Sequence, residues 1–264
     1  MLKDIDDRQL PLLDHLVELR NRLMYSAIAV FLGFFVCYFF AEQIYAFLVR
    51  PLADLTAGDH NRRMIYTGLA EAFFTYVKVA FFAGAFLTFP FVATQLWMFI
   101  APGLYRTEKQ AFLPFLVATP VLFFIGGAVA YYLVFPLAWR FFLSFESAGG
   151  DGMLPIQLEA RVGEYLSLVM KLLFAFGLSF QLPVLLTLMG RVGLVSAEGL
   201  ARNRKYAIVG IFAVAAIITP PDVISQIGLG VPIILLYEIS IVAVRMAEKK
   251  RAEREAAEEA EAAS

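Results

Sequence analysis

Residues that bind metal ions or form disulfide bonds are almost missing from this sequence. Its 264 residues include one cysteine and two histidines, His15 and His60, which lie far apart. One cysteine cannot form a disulfide bond within a chain, and no Cys/His spacing typical of a metal site occurs. We therefore expect neither a disulfide bond nor a bound metal ion.

Charged residues are scarce as well. They make up 17% of the chain against 60% hydrophobic residues, with a mean hydropathy of +0.72. Soluble proteins average about 25% charged and about 45–50% apolar residues. The net charge of −1 gives no indication of a nucleic-acid partner, and we expect none. The composition is that of an integral membrane protein.

Further absences concern targeting and catalysis. The first 22 residues carry five carboxylates and lack the short basic start of a cleavable signal peptide, so we expect the first apolar run to be retained. The sequence contains no G-x-x-x-x-G-K-[ST], no H-E-x-x-H, no G-x-S-x-G and no pair of intramembrane aspartates. We expect a protein that is not an enzyme and uses no cofactor.

Six apolar segments dominate the sequence. Most reach the roughly 20 residues that a helix needs to cross a ~30 Å hydrocarbon core, and only helices satisfy their own backbone in lipid at these lengths. The predicted fold is an all-α integral membrane protein with one transmembrane domain, 1–246, and a charged tail, 247–264, expected to be disordered. The predicted spans are 23–40, 72–100, 111–135, 165–189, 206–219 and 223–244.

The positive charges favour one orientation. Of the 22 Lys and Arg residues, fifteen fall in segments that lie inside if the N-terminus is inside, five fall outside and two fall within spans. Because Lys and Arg accumulate on the cytoplasmic side, both termini are predicted to be cytoplasmic.

The spans are uneven in length. The fifth offers 14 residues, about 21 Å, before Pro220 and Pro221, and the second offers 29 residues, about 43 Å, around Pro90. Short spans thin the bilayer and long spans tilt or kink, so we expect kinked helices in a concave wall, with short fifth and sixth helices. Alternatively, neighbouring helices merely shield the fifth helix. The long outer loops contain the amphipathic stretches AEQIYAFLVRPLADL and FPLAWRFFLSFES and are expected to be ordered.

Two of the spans share a pattern. The segments 71–90 and 164–183 both match E-x6-K-x2-F-x2-G-x5-P. The match covers five positions, so duplication and shared packing needs both explain it. The pattern places Lys78 and Lys171 about two turns inside the outer ends of their spans. Each side chain can snorkel to the outer surface or serve a function.

Gln181 lies within the fourth span, with Ser179 before it and the helix-kinking Pro183 after it. Its amide can bind the backbone carbonyl that Pro183 leaves free, or it can bind a polar group on another transmembrane helix. The residues themselves favour neither alternative.

Two acids lie at the inner edge of the predicted bundle. In HLVELRNRL, Glu18 precedes Arg22 by four residues, the better orientation for a helix ion pair. In APGLYRTEKQ, Glu108 lies in the first turn of a helix, where a carboxylate is favoured. Each acid has a structural explanation, yet both are predicted at one depth beside Phe99 and Tyr105. Together they suit a ligand that carries two guanidinium groups.

These stretches resemble the TatC family, the multispanning receptor of the twin-arginine protein translocase. The likeness runs from Leu12 to about Arg245, and its most specific pieces are HLVELRNRL, FIAPGLYRTEK, FPLAWRFF, FGLSFQLP and ITPPDVISQ. The resemblance implies a location in the bacterial inner membrane and export of folded proteins driven by the proton gradient.

The resemblance also implies a site and partners. The family binds the twin-arginine motif of signal peptides at its cytoplasmic face, and the residues here that match that site or lie beside it are Glu18, Glu108, Arg20, Arg22, Phe99 and Tyr105. The single-span partners TatA and TatB, with further copies of the chain, are expected in the complex. The expected partner-helix contacts are Gln181, Ser179, Asp222 and Gln226, and the prolines expected to be structural are Pro51, Pro90, Pro183, Pro220 and Pro221.

Two positions depart from the family pattern. Gln181 stands where the family often has a glutamate, so a titrating role there is in doubt, whereas hydrogen bonding to a partner helix survives the change. Gly68 stands where some members carry an aspartate, and that role is not carried over.

The alternative function is a secondary transporter for a small solute. It needs polar groups that converge near the middle of the membrane. Here the polar residues concentrate at the two edges of the spans, and Gln181 and Ser179 alone approach the middle. A receptor for signal peptides is therefore the leading hypothesis.

Overall fold

The protein is built almost entirely of α-helices. The computed structural model describes residues 12–57, 62–100, 109–150, 154–219 and 222–262. Within them the helices are α1 (Leu12–Phe39), α2 (Ala41–Leu55), α3 (Glu71–Ile100), α4 (Lys109–Val129), α5 (Phe135–Leu143), α6 (Val162–Ser179), α7 (Leu182–Arg191), α8 (Ala197–Arg202), α9 (Arg204–Ile218) and α10 (Val223–Ala262).

The first and third helices pack closely because glycines let their backbones approach. A Cβ atom on Gly84 of α3 would lie 2.5 Å from the backbone nitrogen of Phe34 in α1, and one on Gly33 would lie 3.0 Å from the Gly84 carbonyl oxygen. Cys37 is buried in the same interface, against alanines of α3. α1 and α3 therefore form a tightly joined pair.

The third predicted span continues directly into an outer helix. Residues 130–134 form a π-helical turn between α4 and α5, and Pro136 lies at the start of α5, where a missing N–H is tolerated. α4 meets α6 at a close backbone contact, since a Cβ atom on Gly126 would lie 2.6 Å from the Phe176 carbonyl oxygen.

The fourth predicted span is broken into α6 and α7 at the stretch FGLSFQLP. The Gln181 backbone N–H donates to the Leu178 carbonyl at 2.9 Å, three residues back instead of four. Pro183, which has no N–H, then lies in the first turn of α7. The proline is therefore accommodated at a helix start rather than in a helix interior.

One end of the bundle, which we call the capped end, is covered by α2, α5 and the segments 62–70, 144–150 and 154–161. The main buried cluster lies around α6 at this end and includes Phe135, Trp139 and Tyr165. Isolated β-bridges join Ile65 to Arg161 and Ser147 to Ile156, and Arg62 forms an ion pair with Glu146.

Pro51 fits inside α2 because another element satisfies the carbonyl that it leaves unpaired. Proline has no N–H to donate to the carbonyl four residues earlier, that of Phe47. The Tyr131 hydroxyl of the π-helical turn donates to this oxygen at 2.7 Å, and the Tyr165 hydroxyl donates to the Leu48 carbonyl at 3.1 Å. Two spans thus fasten α2 through its backbone.

Helix length supports five membrane spans within the described residues. Five helical segments are long and apolar enough to cross a membrane: His15–Phe39, Glu71–Phe99, Pro114–Leu143, Val162–Arg191 and Val223–Glu253. α9, the predicted fifth span, has 15 residues, about 22 Å, and is too short to count among them. Six spans therefore stay a prediction.

The C-terminal helix differs from its prediction. The sequence predicts a short sixth helix, 223–244, and disorder from residue 247, whereas α10 runs over 40 residues to Ala262. The tail is rich in Ala, Glu, Lys and Arg, which are strong helix formers. Lys249 also pairs with Glu253 one turn further on, at 3.8 Å. The helix of the span therefore extends into the charged stretch.

The contact at Gly84 predicts a specific loss of stability. In Gly84→Ala the new methyl group must displace the α1 backbone, and overpacking of this kind costs about 1–3 kcal/mol. Because Cys37 is buried in this interface, a thiol-reactive fluorophore reports melting in detergent. We expect a midpoint lower by about 2–4 °C for each kcal/mol lost.

The matched control is Gly210→Ala on α9, where an added Cβ meets nothing within 4 Å. It should not lower the midpoint. If Gly84→Ala and Gly210→Ala melt at the same temperature, the close approach of α1 and α3 does not contribute as described.

Candidate functional site

Glu18 and Arg22 form an ion pair on α1, at the end of the bundle opposite the capped end. Arg22 donates from Nη2 and Nε to Glu18 Oε1, at 2.8 and 3.1 Å. The side chain of Arg22 is 25% exposed and that of Glu18 is 27% exposed. Both hydrogen bonds end on Oε1, and in the part of the chain that the structure describes Glu18 Oε2 has no hydrogen-bond partner.

Arg22 also links α1 to α3. Its Nη1 donates to Gln95 Oε1 at 3.3 Å and contacts Met98 Sδ at 3.5 Å. Gln95 is buried, with 8% of its surface exposed, so its position is fixed by the helix pair. Gln95 is not among the residues predicted from the sequence, although the signal existed: it is a polar residue within an apolar span, as Gln181 is.

An aromatic contact joins the same two helices at their ends. The rings of His15 on α1 and Phe99 on α3 are stacked, with centroids 4.3 Å apart and an interplanar angle of 14°. Phe99 therefore lies against the first turns of α1, one turn away from Glu18. His15, like Gln95, is not among the predicted site residues, because only the packing of α3 reveals its neighbour.

Arg20 differs from Arg22 in its surroundings. Its guanidinium donates to the side chain of the adjacent Asn21, at 3.1 and 3.3 Å, in an exposed position. The structure therefore groups Glu18, Arg22 and Phe99 and leaves Arg20 at the surface beside them.

Two predicted site residues, Glu108 and Tyr105, lie outside the described residues. α4 begins at Lys109, directly after Glu108, and α3 ends at Ile100, directly after Phe99. The position of the second acid relative to Glu18 therefore stays a prediction.

The Gln181 side chain donates hydrogen bonds to backbone carbonyls at the helix break in which it lies. Its amide nitrogen donates to the Thr119 carbonyl of α4 at 3.1 Å and to the Gly177 carbonyl at 3.3 Å. The Gly177 carbonyl is available because the Gln181 backbone N–H bonds to Leu178 instead. The first of the two predicted roles is binding to the backbone carbonyl that Pro183 leaves free. The observed contact is of this kind, but it is made to the Gly177 carbonyl. Within the described residues Gln181 Oε1 is buried and has no hydrogen-bond partner, and Ser179 is half-buried beside the break.

Asp222 and Gln226 join α9 to α10. Asp222 Oδ1 accepts a hydrogen bond from the Ser225 backbone N–H at 2.6 Å, as a helix cap does. Gln226 Nε2 donates to the Phe212 carbonyl of α9 at 3.3 Å. The prolines between the two helices, Pro220 and Pro221, lie outside the described residues.

Comparison with known proteins points to one family. The family model for TatC, described as Sec-independent protein translocase protein (TatC), matches residues 14–232. The Sec-independent protein translocase protein TatC of Magnetococcus marinus is 54% identical over 255 residues, which cover 97% of this chain and 91% of that protein. The TatC protein of Escherichia coli strain K12 is 41% identical over 238 residues, which cover 90% of this chain and 88% of that protein.

A solved structure agrees with the sequence comparisons. It is described as the crystal structure of the twin arginine translocase receptor TatC. It is 36% identical to this chain, superposes with a TM-score of 0.76, and the match covers 89% of this chain and 99% of that one. The similarity therefore extends over nearly the whole fold.

The link between Arg22 and α3 generates a stability prediction. Arg22→Met removes a partly exposed helix ion pair, about 0.3–0.5 kcal/mol, and a hydrogen bond to buried Gln95, about 1 kcal/mol. We expect the midpoint of thiol-monitored melting to fall by a few degrees.

Arg20→Met removes the same charge from an exposed position on the same helix, and it should leave the midpoint unchanged. Equal shifts in the two variants would show that charge removal, and not the loss of the α1–α3 link, causes the effect.

Proposed function

Because this chain belongs to the TatC family of Sec-independent protein translocase proteins, we propose that it is the receptor subunit that binds twin-arginine signal peptides of folded precursors. As a family member with several apolar helices, it is a multi-pass protein of the bacterial inner membrane that serves protein transport. The observation that carries the proposal is the Glu18 carboxylate, whose Oε1 is held by Arg22 and whose Oε2 has no hydrogen-bond partner within the described residues.

The geometry at Glu18 suits a guanidinium ligand. Arg22 is anchored from α3 by Gln95 and fixes Glu18 Oε1, so the carboxylate does not have to be ordered when a peptide arrives. An arginine of the peptide then donates to Oε2 in a charge-assisted hydrogen bond, which contributes about 1.5–3 kcal/mol. The guanidinium of Arg22 stays on Oε1 and supports the acid.

A pair of consecutive arginines requires acids on two different elements. In an extended peptide, successive side chains point to opposite sides, so one helix face cannot bind both. We assign the second guanidinium to Glu108, which precedes α4, and the aromatic wall between the acids to Phe99 and Tyr105. Arg20 supports the rim at the surface.

The membrane arrangement follows from the charge distribution and the helix lengths. We propose six spans in one domain, 1–246, with α9 as the short fifth crossing and both termini in the cytoplasm. The end with Glu18 then faces the cytoplasm, where precursors are made, and the capped end faces outside. A bilayer thinned beside α9 accommodates its length of about 22 Å.

Single-span partners of the TatA and TatB type are proposed to contact α9 and α10. Ala215 is the one buried residue recorded on α9, so most of this helix is open to lipid or to another helix. Asp222 and Gln226 lie at its junction with α10, and Gln181 and Ser179, at the break between α6 and α7, are proposed as further contacts of a partner helix. The proton gradient supplies the energy, and further copies of the chain join the complex.

The transporter alternative needs a passage that connects the two ends of the bundle. The large groove at the capped end is lined by α3, α5, α6 and the outer end of α9, and its lining does not include Glu18, Arg22 or Gln95. Within the described residues, no observation favours a solute passage over a receptor.

An export assay tests the two acids. Glu18→Ala and Glu108→Ala each remove one acceptor for a guanidinium, a loss of about 1.5–3 kcal/mol that weakens binding about tenfold or more. We expect less export of a twin-arginine reporter while the amount of protein in the membrane is unchanged.

The matched control is Glu42→Ala, which removes an exposed acid of α2 at the capped end. Export of the reporter by this variant should be normal. Normal export by the Glu18→Ala/Glu108→Ala double variant would overturn the assignment of both acids.

A peptide-binding assay tests the chemistry. Purified protein in detergent should bind a signal peptide with Arg-Arg more tightly than the same peptide with Lys-Lys, because lysine cannot form the planar fork that matches a carboxylate. Glu18→Gln should reduce this preference. Equal dissociation constants for the two peptides on the unsubstituted protein would contradict a guanidinium-specific site.

A further inference from the structure

The capped end contains a large open groove that the proposed function does not use. Its volume is about 1210 Å³, and it is lined by residues of α3, α5, α6, the segment 158–161 and the end of α9. Lys78 of α3 and Lys171 of α6 both line it. These are the two lysines of the shared E-x6-K pattern, so the pattern brings its lysines to one place.

The glutamates of the same pattern are already paired. Arg161 lies between them, with Nη1 2.6 Å from Glu164 Oε1 and Nη2 3.8 Å from Glu71 Oε2. Glu71 Oε2 also accepts hydrogen bonds from the backbone N–H groups of Thr67 and Gly68, at 2.9 and 3.2 Å. These two carboxylates are therefore occupied by other donors, and Glu159, the third carboxylate of the lining, lies 3.7 Å from Arg63.

The two lysines have no acidic partner within the described part of the chain, and both are exposed. Each lies seven residues after its glutamate, about 10 Å along the helix axis. Two ammonium groups facing one groove repel each other, and charges at membrane depth are costly unless they are paired. An anion bound between Lys78 and Lys171 offsets both costs.

In the proposed arrangement, in which the short α9 crosses the membrane, the membrane surface lies near the level of the lysines. Its outer end, Ile217 to Thr219, lines the same groove, and Ile217 is 84% exposed. A helix of about 22 Å leaves roughly 8 Å of a ~30 Å hydrocarbon core unmatched, and lipids beside such a helix thin. Lipid phosphates next to α9 are therefore drawn down toward Lys78 and Lys171.

The walls of the groove suit a lipid better than a free ion. Phe74, Phe142 and Phe145 line it and offer apolar surface to acyl chains. Trp139 also lines it. This residue is 5% exposed, and its ring lies beside that of Tyr165, with centroids 5.3 Å apart. The walls around the two lysines are therefore largely aromatic.

We propose that the groove binds an anionic phospholipid. The ammonium groups of Lys78 and Lys171 bind the headgroup phosphate, and the phenylalanines that line the groove contact the acyl chains. In the proposed orientation this lipid belongs to the outer leaflet. It fills the seam between α3, α6 and the end of α9. The site is separate from Glu18, so the two proposals can fail independently.

Native mass spectrometry of the full chain in detergent tests the proposal, with phosphatidylglycerol, phosphatidylcholine and soluble glycerol 3-phosphate as probes. Each lysine beside an anionic lipid contributes about fivefold in affinity. We therefore expect Lys78→Gln/Lys171→Gln to bind phosphatidylglycerol at least about tenfold more weakly than the unsubstituted protein. Lys78→Arg/Lys171→Arg should bind nearly normally, and phosphatidylcholine binding should change little.

The matched control is Lys249→Gln/Lys250→Gln, which removes two lysines outside the groove and should keep normal affinity. Unchanged phosphatidylglycerol binding in the groove variant, or an equal loss in the control, would overturn the proposal. Tight binding of glycerol 3-phosphate would also overturn it, because the site would then take a soluble anion. Thiol-monitored melting at Cys37 checks that each variant is folded. If the double variant does not fold, the phosphatidylglycerol affinity of Lys171→Gln alone is compared with that of the unsubstituted protein.

Discussion

The close approach of α1 and α3 is the contact on which the proposed peptide site depends. Gly33 and Gly84 remove the side chains that would hold the two backbones apart, and Arg22 can therefore reach Gln95 across the interface. With one guanidinium nitrogen held on α3, the others fix Glu18 Oε1, while Oε2 has no partner among the described residues. An acid at the start of an apolar helix thus becomes a positioned acceptor instead of a mobile surface charge.

The rest of the bundle follows a related constraint, the high free-energy cost of an unpaired polar group in lipid. Where Pro51 leaves the Phe47 carbonyl without a donor, Tyr131 supplies one from another element, and Gln181 does the same for the broken helix around Gly177. This rule makes the exceptions informative. Within the described residues, Gln181 Oε1 and Asp222 Oδ2 are buried without a partner, and both residues are proposed contacts of a partner helix.

Hydropathy predicts most of the fold, because apolar length and amphipathic pattern determine where helices lie. The segment 72–100 and the stretch AEQIYAFLVRPLADL correspond within one residue to α3 and α2. The end of α10 could not be predicted in this way. The apolar residues end at the edge of the span, whereas residues with high helix propensity continue through the Ala- and Glu-rich tail. In the site, spacing predicts the Glu18–Arg22 pair, but the roles of Gln95 and His15 depend on which helix packs on α1. Glu108 and Tyr105 remain sequence-based predictions.

The central claim is that the arginine pair of a signal peptide binds beside Glu18 and Phe99. Site-specific photocrosslinking in membranes measures this directly, with a photoreactive phenylalanine analogue at position 99 and the same analogue at exposed Tyr66 of the capped end as the control. We predict crosslinks from position 99 to precursor residues next to the arginine pair, lost in Glu18→Ala and absent from position 66. Precursor crosslinks of equal strength at both positions, or crosslinks at position 99 that survive Glu18→Ala, would contradict the claim.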